Sequence, residues 1–326
     1  MRILVTGASG FVGQHLLSIL HRANHEVIPQ YYKISYEQSE NLRSAQLNDG
    51  ISFDIRDRDK VFAAIKLLKP DGIIHLAAQS SVKLSWVNPN ATFESNLIGT
   101  CNILDAVKEY APECRVITTG SAEEYAEVLS GERVSENSRC DPKNPYALSK
   151  YAVSNLVRQY VDAYRMRIVH VRPFNQIGPG QSRIFVVSDF AYQLVEIQMG
   201  NKPPILNVGN LSAIRDFTDV RDVAIAYRLL IENQENDLIY NIASGYGISI
   251  RNLVERMINL LNVEIEISVD PLRFRPVEIE RLIGDSSKIQ EALGWRTTYS
   301  LDDTLKDVLI EQGAKFDINN LQKGKN

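Results

Sequence analysis

The chain has 326 residues, enough for one large domain or two that are closely joined. Hydrophobic residues make up 44% and charged residues 23%, and the net charge of -4 gives no basic surface for nucleic acid or an anionic membrane. No apolar run reaches the roughly 18 residues that a membrane span needs. Cys101, Cys114 and Cys140 are far apart, so neither a disulfide framework nor a metal site is predicted. The chain starts directly with a strand-like segment instead of a signal peptide, and we expect a cytoplasmic protein.

Short apolar runs alternate with segments of helical periodicity in the first half of the chain. The predicted strands are Arg2–Thr6, His25–Gln30, Ile51–Asp54, Gly72–Ala78, Cys114–Gly120 and Arg167–Phe174. The predicted helices are Val12–His21, Asp59–Leu68, Ala91–Glu109 and Pro145–Tyr164. The strands are apolar throughout rather than alternating, which is typical of a parallel sheet covered on both faces. The pattern predicts an α/β fold with a doubly wound parallel sheet and right-handed crossovers.

After Pro173 the elements become shorter, and glycine and proline pairs separate them. Asp219–Glu232 has the periodicity of a helix, and Leu238–Ile242 has the composition of one more strand. We expect that strand to rejoin the parallel sheet.

The expected domain division follows from this change in the length of the elements and in the frequency of glycine and proline. A dinucleotide-binding domain would cover residues 1–174 and would be completed by about 216–245. A smaller C-terminal substrate lobe would be built from 175–215 and 246–326. Such a lobe would close a cleft at the carboxyl edge of the sheet, where open α/β folds bind their ligands.

A glycine-rich segment, Thr6–Gly13, directly follows the first strand and has the spacing G-x-x-G-x-x-G. Glycine permits the tight turn and lets backbone amides approach a pyrophosphate, while the following helix presents its positive end to the anion. The residues predicted to bind a dinucleotide here are Gly7, Ser9, Gly10, Phe11, Val12 and Gly13.

The end of the second strand normally selects between the nicotinamide dinucleotides, since an acid there binds the ribose hydroxyls of NAD. The stretch from Val27 to Lys33 contains no acid, so the sequence favours NADP(H), with NAD(H) possible. Lys33 could meet the 2′-phosphate of NADP or could be a solvated surface lysine. Asp54 and Ile55 are placed to reach the adenine, although Asp54 could instead cap a strand end.

The segment Tyr146-Ala147-Leu148-Ser149-Lys150 has the spacing Y-x-x-x-K, which puts the tyrosine and the lysine on one face of a helix. A lysine ammonium stabilises a nearby phenolate and lowers the tyrosine pKa from about 10 toward working pH. Tyr146 could then pass a proton to or from a substrate oxygen while a hydride moves to or from the nicotinamide. Ser121 follows the preceding strand and is expected to donate a hydrogen bond to the same oxygen.

Two carboxylates, Glu123 and Glu124, come shortly after Ser121, where the chain should line the cleft. A buried glutamate with a raised pKa could abstract a carbon-bound proton, and the alternative is a carboxylate that only binds a substrate hydroxyl. The sequence leaves both roles open. Glu123 is the better candidate, and Glu124 is expected to point outward.

Several of these features together resemble the extended short-chain dehydrogenase/reductases. They are Gly7–Gly13, Asp54, His75-Leu76-Ala77-Ala78, Ser121, Tyr146 and Lys150. The resemblance extends over roughly residues 1 to 312, and it implies a Rossmann fold with Leu76, Ala77 and Ala78 beside the cofactor. Tyr146 and Lys150 would also contact the cofactor. Within that family the chain is similar to the branch that acts on GDP-mannose derivatives. The stretches that carry this closer match are Gly120–Tyr125, Arg172–Gln181, Arg273–Glu278 and Leu282–Asp285.

The resemblance implies several substrate contacts. Asn175 would contact the phosphates or the sugar, and Arg215 would pair with the pyrophosphate, which suits the fork of a guanidinium group. Arg275 and Glu278 would hold the ribose of the GDP moiety. Either arginine could instead form a surface ion pair.

The same resemblance implies a homodimer formed through the helices Ala91–Glu109 and Pro145–Tyr164. Apolar positions beyond one face of these helices give this expectation some support from the residues themselves. The expected partner is a GDP-sugar substrate, and neither nucleic acid nor a membrane is expected.

The resemblance implies most directly an enzyme that reduces GDP-4-keto-6-deoxy-D-mannose to GDP-D-rhamnose or its C4 epimer. Arg172–Gln181 is similar to the reductase version of its motif, and Ala122 and Ala126 depart from the dehydratase pattern. The long basic insertion of dehydratases is also missing between Lys33 and Ile51. The alternatives are a GDP-mannose 4,6-dehydratase, a C4 dehydrogenase or epimerase of a related GDP-hexose or GDP-heptose, and a dinucleotide-sensing protein on the same fold.

Overall fold

A computed structural model describes residues 1–32, 50–127, 131–233, 238–274, 277 and 279–316. Its strands are β1 Arg2–Thr6, β2 Glu26–Tyr31, β3 Ile51–Ser52, β4 Gly72–His75, β5 Arg115–Thr119, β6 Ile168–Pro173, β7 Asn175–Ile177, β8 Ile205–Val208, β9 Ile214–Asp219, β10 Ile239–Ile242, β11 Gly247–Ser249, β12 Glu266–Val269 and β13 Arg281–Leu282. Its helices are α1 Phe11–Arg22, α2 Arg58–Leu68, α3 Val82–Val87, α4 Pro89–Phe93, α5 Gly99–Tyr110, α6 Pro145–Tyr164, α7 Val186–Gln198, α8 Val220–Glu232, α9 Ile250–Leu261, α10 Ser287–Leu293 and α11 Leu301–Glu311. Shorter turns are the π turn Glu94–Ile98 and the 3₁₀ turns Ala122–Glu124 and Pro271–Arg273.

Seven strands of the described residues form one parallel sheet in the order β10-β6-β5-β4-β1-β2-β3. This confirms the predicted doubly wound α/β fold. The predicted return of a late strand is also confirmed, because β10 pairs in parallel with β6 and sets Ile239 opposite His170. The chain reverses its direction of travel through the sheet between β1 and β4, and such a reversal opens a crevice at the carboxyl ends of the two strands.

Helices cover both faces of this sheet. On one face α1 packs against α8, and their buried residues Leu16, Leu20, Tyr227 and Leu230 belong to one apolar core with the sheet. On the other face α2 packs against α5 and shares a second core with β1, β4, β5 and β6. Because both faces are buried, the strands can be continuously apolar, which is the feature that made them recognisable.

The predicted helix Ala91–Glu109 is wrong as one regular element, since the π turn Glu94–Ile98 separates α4 from α5. Asn96 is buried in this turn, and its Nδ2 donates to the carbonyl oxygen of Gln79 and to Ser149 Oγ. A π turn accommodates one extra residue, which rotates the side chains that follow it around the helix axis. The interruption therefore lets a polar side chain bond inward from an otherwise apolar helical face.

The predicted strand Ile51–Asp54 is shorter in the structure, where β3 ends at Ser52. The carbonyl oxygen of Phe53 accepts a hydrogen bond from the Gln30 side chain at 2.6 Å, and the side chain of Asp54 turns to Arg56. Side chains thus replace the backbone ladder at this point, and the strand ends.

The second half of the chain adds smaller sheets. β9 pairs with β11, β13 and β7, and β8 pairs with β12. Helices α7, α9 and α11 enclose an apolar core with these strands, which includes Phe190, Leu253 and Leu305. The division of the chain into a dinucleotide-binding domain and a substrate lobe, with the boundaries given above, stays a prediction. No helix in the described ranges combines the length and the apolar character that crossing a membrane requires.

Gly13 lies in the first turn of α1, and a Cβ atom there would stand 2.5 Å from the carbonyl oxygen of Ala8. Alanine normally stabilises a helix by about 1 kcal/mol relative to glycine. We expect the opposite for Gly13→Ala, a loss of about 1–3 kcal/mol in the free energy of unfolding, because backbone atoms cannot move aside easily. Urea denaturation measures this difference.

Ser18→Ala, an exposed site on the same helix, is the matched control and should change stability by no more than about 0.5 kcal/mol. A Gly13→Ala variant as stable as the wild type would show that α1 does not approach the glycine loop this closely.

Candidate active site

The predicted glycine loop has the geometry of an anion cradle. Gly7 adopts a φ of +66°, and a Cβ at this position would lie 2.7 Å from the backbone nitrogen of Ala77. Helix α1 begins at Phe11, and within the described residues no side chain caps its N-terminus at Gly10. Backbone N–H groups there remain available to an anion. The predicted residues Ser9, Val12 and Gly13 complete this loop and the first turn of α1.

The segment after β4, predicted to lie beside the cofactor, packs directly on this loop. The N–H of Leu76 donates to the carbonyl oxygen of Thr6 at 3.2 Å, and the N–H of Ala77 donates to Thr6 Oγ1 at 3.3 Å. Ala78 follows in the same segment. The structure thus brings the loop after β1 and the loop after β4 together at the crevice where the sheet reverses.

The end of β2 carries Gln30 in place of the acid that would bind the ribose hydroxyls of NAD. Its Oε1 accepts a hydrogen bond from the N–H of Gly7 at 3.1 Å, so this side chain supports the glycine loop. Lys33 lies outside the described residues. The carboxylate of Asp54 is bound by Arg56 at 2.7 Å, and this hydrogen bond lowers the pKa of Asp54. The adenine contacts of Asp54 and Ile55 stay a prediction.

The catalytic candidates meet at the carboxyl end of β5. Helix α6 starts there because the side chain of Asn144 caps it, accepting from the N–H of Ala147 at 2.8 Å. Lys150 is buried, and its Nζ donates to the carbonyl oxygen of Thr119 at 2.7 Å. Tyr146 lies one turn earlier on the same helix, with its ring centroid 6.0 Å from that ammonium.

The electrostatics of the pair differ from the sequence prediction. Burial raises the pKa of Tyr146, whereas a hydrogen bond with Ser121 acts to lower it and the charges of Glu123 and Glu124 raise it further. The net result is a raised pKa instead of the lowered pKa predicted from the sequence, because burial outweighs the other influences on the phenol. Burial also lowers the pKa of Lys150 to about 8.

The two glutamates are placed differently from each other. Glu123 is partly buried, and its Oε2 accepts a hydrogen bond from Asn144 Nδ2 at 3.0 Å. Glu124 is fully buried, so the prediction that it points outward is wrong. Its carboxylate accepts from the N–H of Ser121 at 2.9 Å and from Arg172 Nε at 2.8 Å, which provides the partners that a buried charge needs.

Sequence reasoning missed this buried carboxylate although two signals were present. Ser121 and Glu124 have the spacing of a capping box, which ties a side chain back to the start of a turn. His170 and Arg172 are polar residues two apart on the apolar strand β6, so both face the same side of the sheet.

The predicted substrate contacts lie farther along the chain. Asn175 begins β7, which pairs in parallel with β9. Arg215 on β9 is buried, and its Nη1 donates to the carbonyl oxygen of Ile214 at 2.9 Å. Arg275 and Glu278 lie outside the described residues. The roles of all four in substrate binding stay predictions.

Comparisons with known proteins agree with this geometry. A family model described as GDP-mannose 4,6 dehydratase matches residues 4–308. A GDP-6-deoxy-D-mannose reductase from Pseudomonas aeruginosa is 32% identical, covering 95% of this chain and 96% of the relative. A GDP-6-deoxy-D-talose 4-dehydrogenase from Aggregatibacter actinomycetemcomitans is 31% identical, covering 90% of this chain and 92% of the relative.

Among solved structures, RMD from Pseudomonas aeruginosa complexed with NADPH superposes with a TM-score of 0.81 at 32% identity, covering 95% of this chain and 98% of that one. The similarity thus extends over the sheet, the glycine loop and the catalytic helix together. The chain belongs to the GDP-mannose 4,6-dehydratase family of extended short-chain dehydrogenase/reductases, NAD(P)-dependent enzymes that act on nucleotide sugars.

Proposed function

We propose that this enzyme reduces C4 of GDP-4-keto-6-deoxy-D-mannose and forms GDP-D-rhamnose, which is GDP-6-deoxy-D-mannose, or its C4 epimer. The observation that carries the proposal is the position of the Tyr146 phenol, which lies beside Ser121 and 6.0 Å from the Lys150 ammonium and whose pKa is raised by burial. Reduction of a ketone needs an acid at the oxygen, and a protonated phenol supplies one. The reductase from Pseudomonas aeruginosa, similar over nearly its whole length, supports the same reaction.

The glycine loop and the start of α1 would hold the pyrophosphate of the cofactor, for which Gly7 and Gly10 leave the backbone accessible. When bound, the nicotinamide supplies the hydride. NADP(H) is favoured because β2 ends without an acid, and a relative of this chain is known in complex with NADPH. NAD(H) is the alternative. Tyr146 and Lys150 would also contact the nicotinamide ribose.

The residues of this chain then have separate tasks in the reduction. Ser121 would donate a hydrogen bond to the C4 oxygen and hold it at Tyr146. Tyr146 gives its proton to that oxygen as C4 gains hydride, so the ketone becomes a hydroxyl and the tyrosine becomes a phenolate. The ammonium of Lys150 stabilises this phenolate until a proton is regained from water. Asn175, Arg215, Arg275 and Glu278 would bind the GDP-sugar away from the reacting carbon.

A second candidate is the 4,6-dehydratase reaction that the family model describes. The carboxylate of Glu123 favours it, since Asn144 holds this group at the start of the catalytic helix. There Glu123 would remove the C5 proton of an oxidised sugar. A C4 dehydrogenase or epimerase of a related GDP-hexose or GDP-heptose would use the same Tyr146 in the opposite direction.

Four incubations separate these reactions. Purified protein is mixed with GDP-mannose and, separately, with GDP-4-keto-6-deoxy-D-mannose, each with and without NADPH. We expect product only from the keto sugar with NADPH, identified by mass and NMR as GDP-6-deoxy-D-mannose or GDP-6-deoxy-D-talose. Conversion of GDP-mannose to the keto sugar without added reductant would instead establish the lyase.

Tyr146→Phe should lower kcat by roughly 10²–10⁴-fold, because the variant keeps the ring and loses only the proton donor. Its affinity for NADPH, measured by fluorescence titration, should stay close to that of the wild type. Tyr164→Phe, which removes an exposed hydroxyl at the other end of α6, is the control and should retain the wild-type rate. A Tyr146→Phe variant with more than a tenth of the wild-type rate would exclude Tyr146 as the acid.

Glu123→Gln distinguishes the reductase from the lyase. If the carboxylate only positions the sugar, its neutralisation should raise the activation free energy by about 1–3 kcal/mol, which lowers the rate roughly ten- to a hundredfold. We expect a loss in that range and no solvent deuterium at C5 of the product formed in heavy water, with an enzyme-free incubation as the control. Deuterium at C5 together with a near-total loss of turnover would identify Glu123 as a catalytic base.

We also propose that the enzyme is a homodimer joined through α5 and α6. Three large, mainly apolar side chains on and beside these helices are about half exposed: Ile98 (48%), Leu148 (46%) and Tyr164 (53%). Exposed apolar side chains that lie together mark surfaces that bind another protein. A cytoplasmic location is proposed with it, since Cys101, Cys114 and Cys140 are all unpaired thiols, as is usual in a reducing compartment.

Light scattering at micromolar concentration should therefore give twice the mass of one chain. Leu148→Glu should shift the mass toward the monomer, because it places a charge in the proposed interface. Ile310→Glu is the matched control, since Ile310 is 50% exposed on α11, a helix that packs against α7 and α9. A monomeric wild-type protein would contradict the dimer.

A further inference from the structure

The buried carboxylate of Glu124 has no role in the mechanism above, yet it contacts the catalytic turn directly. Its Oε1 accepts a hydrogen bond from the N–H of Ser121 at 2.9 Å and lies 3.1 Å from His170 Nε2. Its Oε2 accepts from Arg172 Nε at 2.8 Å. One carboxylate thus joins the turn that carries Ser121 to strand β6.

The same network continues into the catalytic helix. Arg172 Nη2 donates to Ser154 Oγ on α6 at 3.1 Å, and its guanidinium lies 4.6 Å above the ring of Tyr125. Tyr125 in turn donates to Asn241 Oδ1 on β10 at 2.7 Å. Glu124 therefore lies where the serine turn, two neighbouring strands and the helix of Tyr146 meet, and its removal would loosen all of them.

The charges around Lys150 give this carboxylate a second consequence. Glu124 and Lys150 bond to the same short segment at the end of β5, since Glu124 accepts from the N–H of Ser121 and Lys150 donates to the carbonyl oxygen of Thr119. Burial lowers the pKa of Lys150, and the nearby charge of Glu124 acts to raise it. The group that accepts a hydrogen bond from the ammonium within the described residues is neutral, the carbonyl oxygen of Thr119 at 2.7 Å. A buried cation without a nearby anion loses its proton easily.

The other ionisable groups around Lys150 do not replace that anion. From the neighbouring strands, His75 and His170 are buried with lowered pKa values, and Arg172 is a cation. On α8 the phenol of Tyr227 is buried, which raises its pKa. On the same helix, burial likewise raises the pKa of Tyr146.

The helices along the other side of α6 carry ionisable groups that are exposed or pair with other residues. Lys83 and Glu94 are exposed. Asp105 pairs with Arg58 at 2.9 Å and with Lys108 at 3.2 Å. Glu123, on the serine turn, is held by Asn144 at 3.0 Å.

We propose that Glu124 is a positioning residue of this active site, whose buried carboxylate fixes the Ser121 turn against β6 and keeps Lys150 protonated. The inference rests on the proposed roles of Ser121 and Lys150. It does not depend on which GDP-sugar is the substrate.

A substrate-independent titration tests it. The protein is labelled with lysine carrying ¹³C at Cε, the Lys150 signal is assigned by its loss in Lys150→Met, and its shift is followed from pH 6 to pH 10. Glu124→Gln keeps the shape of the side chain and removes the charge, so the Lys150 midpoint should fall by roughly one pH unit or more. Glu132→Gln, which neutralises an exposed carboxylate, should leave the midpoint in place.

Turnover supplies the second measurement. In Glu124→Gln the alkaline limb of kcat should move to lower pH by the same amount, with KM for NADPH little changed. A variant that loses rate equally at every pH, with an unmoved Lys150 midpoint, would show that Glu124 is only structural. Absence of turnover in the wild type with GDP-4-keto-6-deoxy-D-mannose would count against the proposed function and leave the titration as the test of Glu124.

Should Glu124→Gln not fold, Glu124→Asp decides the matter. It keeps the charge and draws the carboxylate back by one methylene group, away from the N–H of Ser121. We expect a wild-type Lys150 midpoint together with a kcat at least roughly tenfold lower. A wild-type kcat in Glu124→Asp, or a displaced midpoint, would overturn the proposal.

Discussion

The hydrogen bond from Lys150 Nζ to the carbonyl oxygen of Thr119 joins helix α6 to the end of strand β5. The rest of the site depends on it, because this contact fixes the rotation of α6 against the edge of the sheet. Tyr146, one turn earlier, then faces Ser121 at the same edge. A buried ammonium must be stabilised by its surroundings. Polar groups are therefore found at the carboxyl end of β5 and on β6, among strands that are otherwise apolar.

Most of the fold could be predicted from the sequence, because strands buried on both faces leave continuous apolar runs whatever the tertiary detail. The ends and interruptions of elements could not. β3 stops early because the side chain of Gln30 bonds to the carbonyl oxygen of Phe53, and the π turn forms around the inward bonds of Asn96. Apolar periodicity records which residues are buried, and it carries no information about hydrogen bonds between distant segments.

The same limit explains which parts of the site were foreseen. Tyr146 and Lys150 were found because two residues four apart on a helix share a face, which is a local property. Glu124 was predicted to point outward, and its burial depends on residues that are distant in the sequence. Its partners His170 and Arg172 lie 46 and 48 residues later, on a strand whose position beside β5 only the folded sheet establishes.

The place of β10 in the sheet has a consequence for biosynthesis. β10 covers the outer edge of β6, but it begins at Ile239, long after β6 ends at Pro173. While the ribosome makes the residues between them, β6 has an open edge with unpaired backbone groups, which is the kind of edge that recruits other chains. The nascent protein therefore passes through an aggregation-prone stage that ends only when β10 emerges and docks.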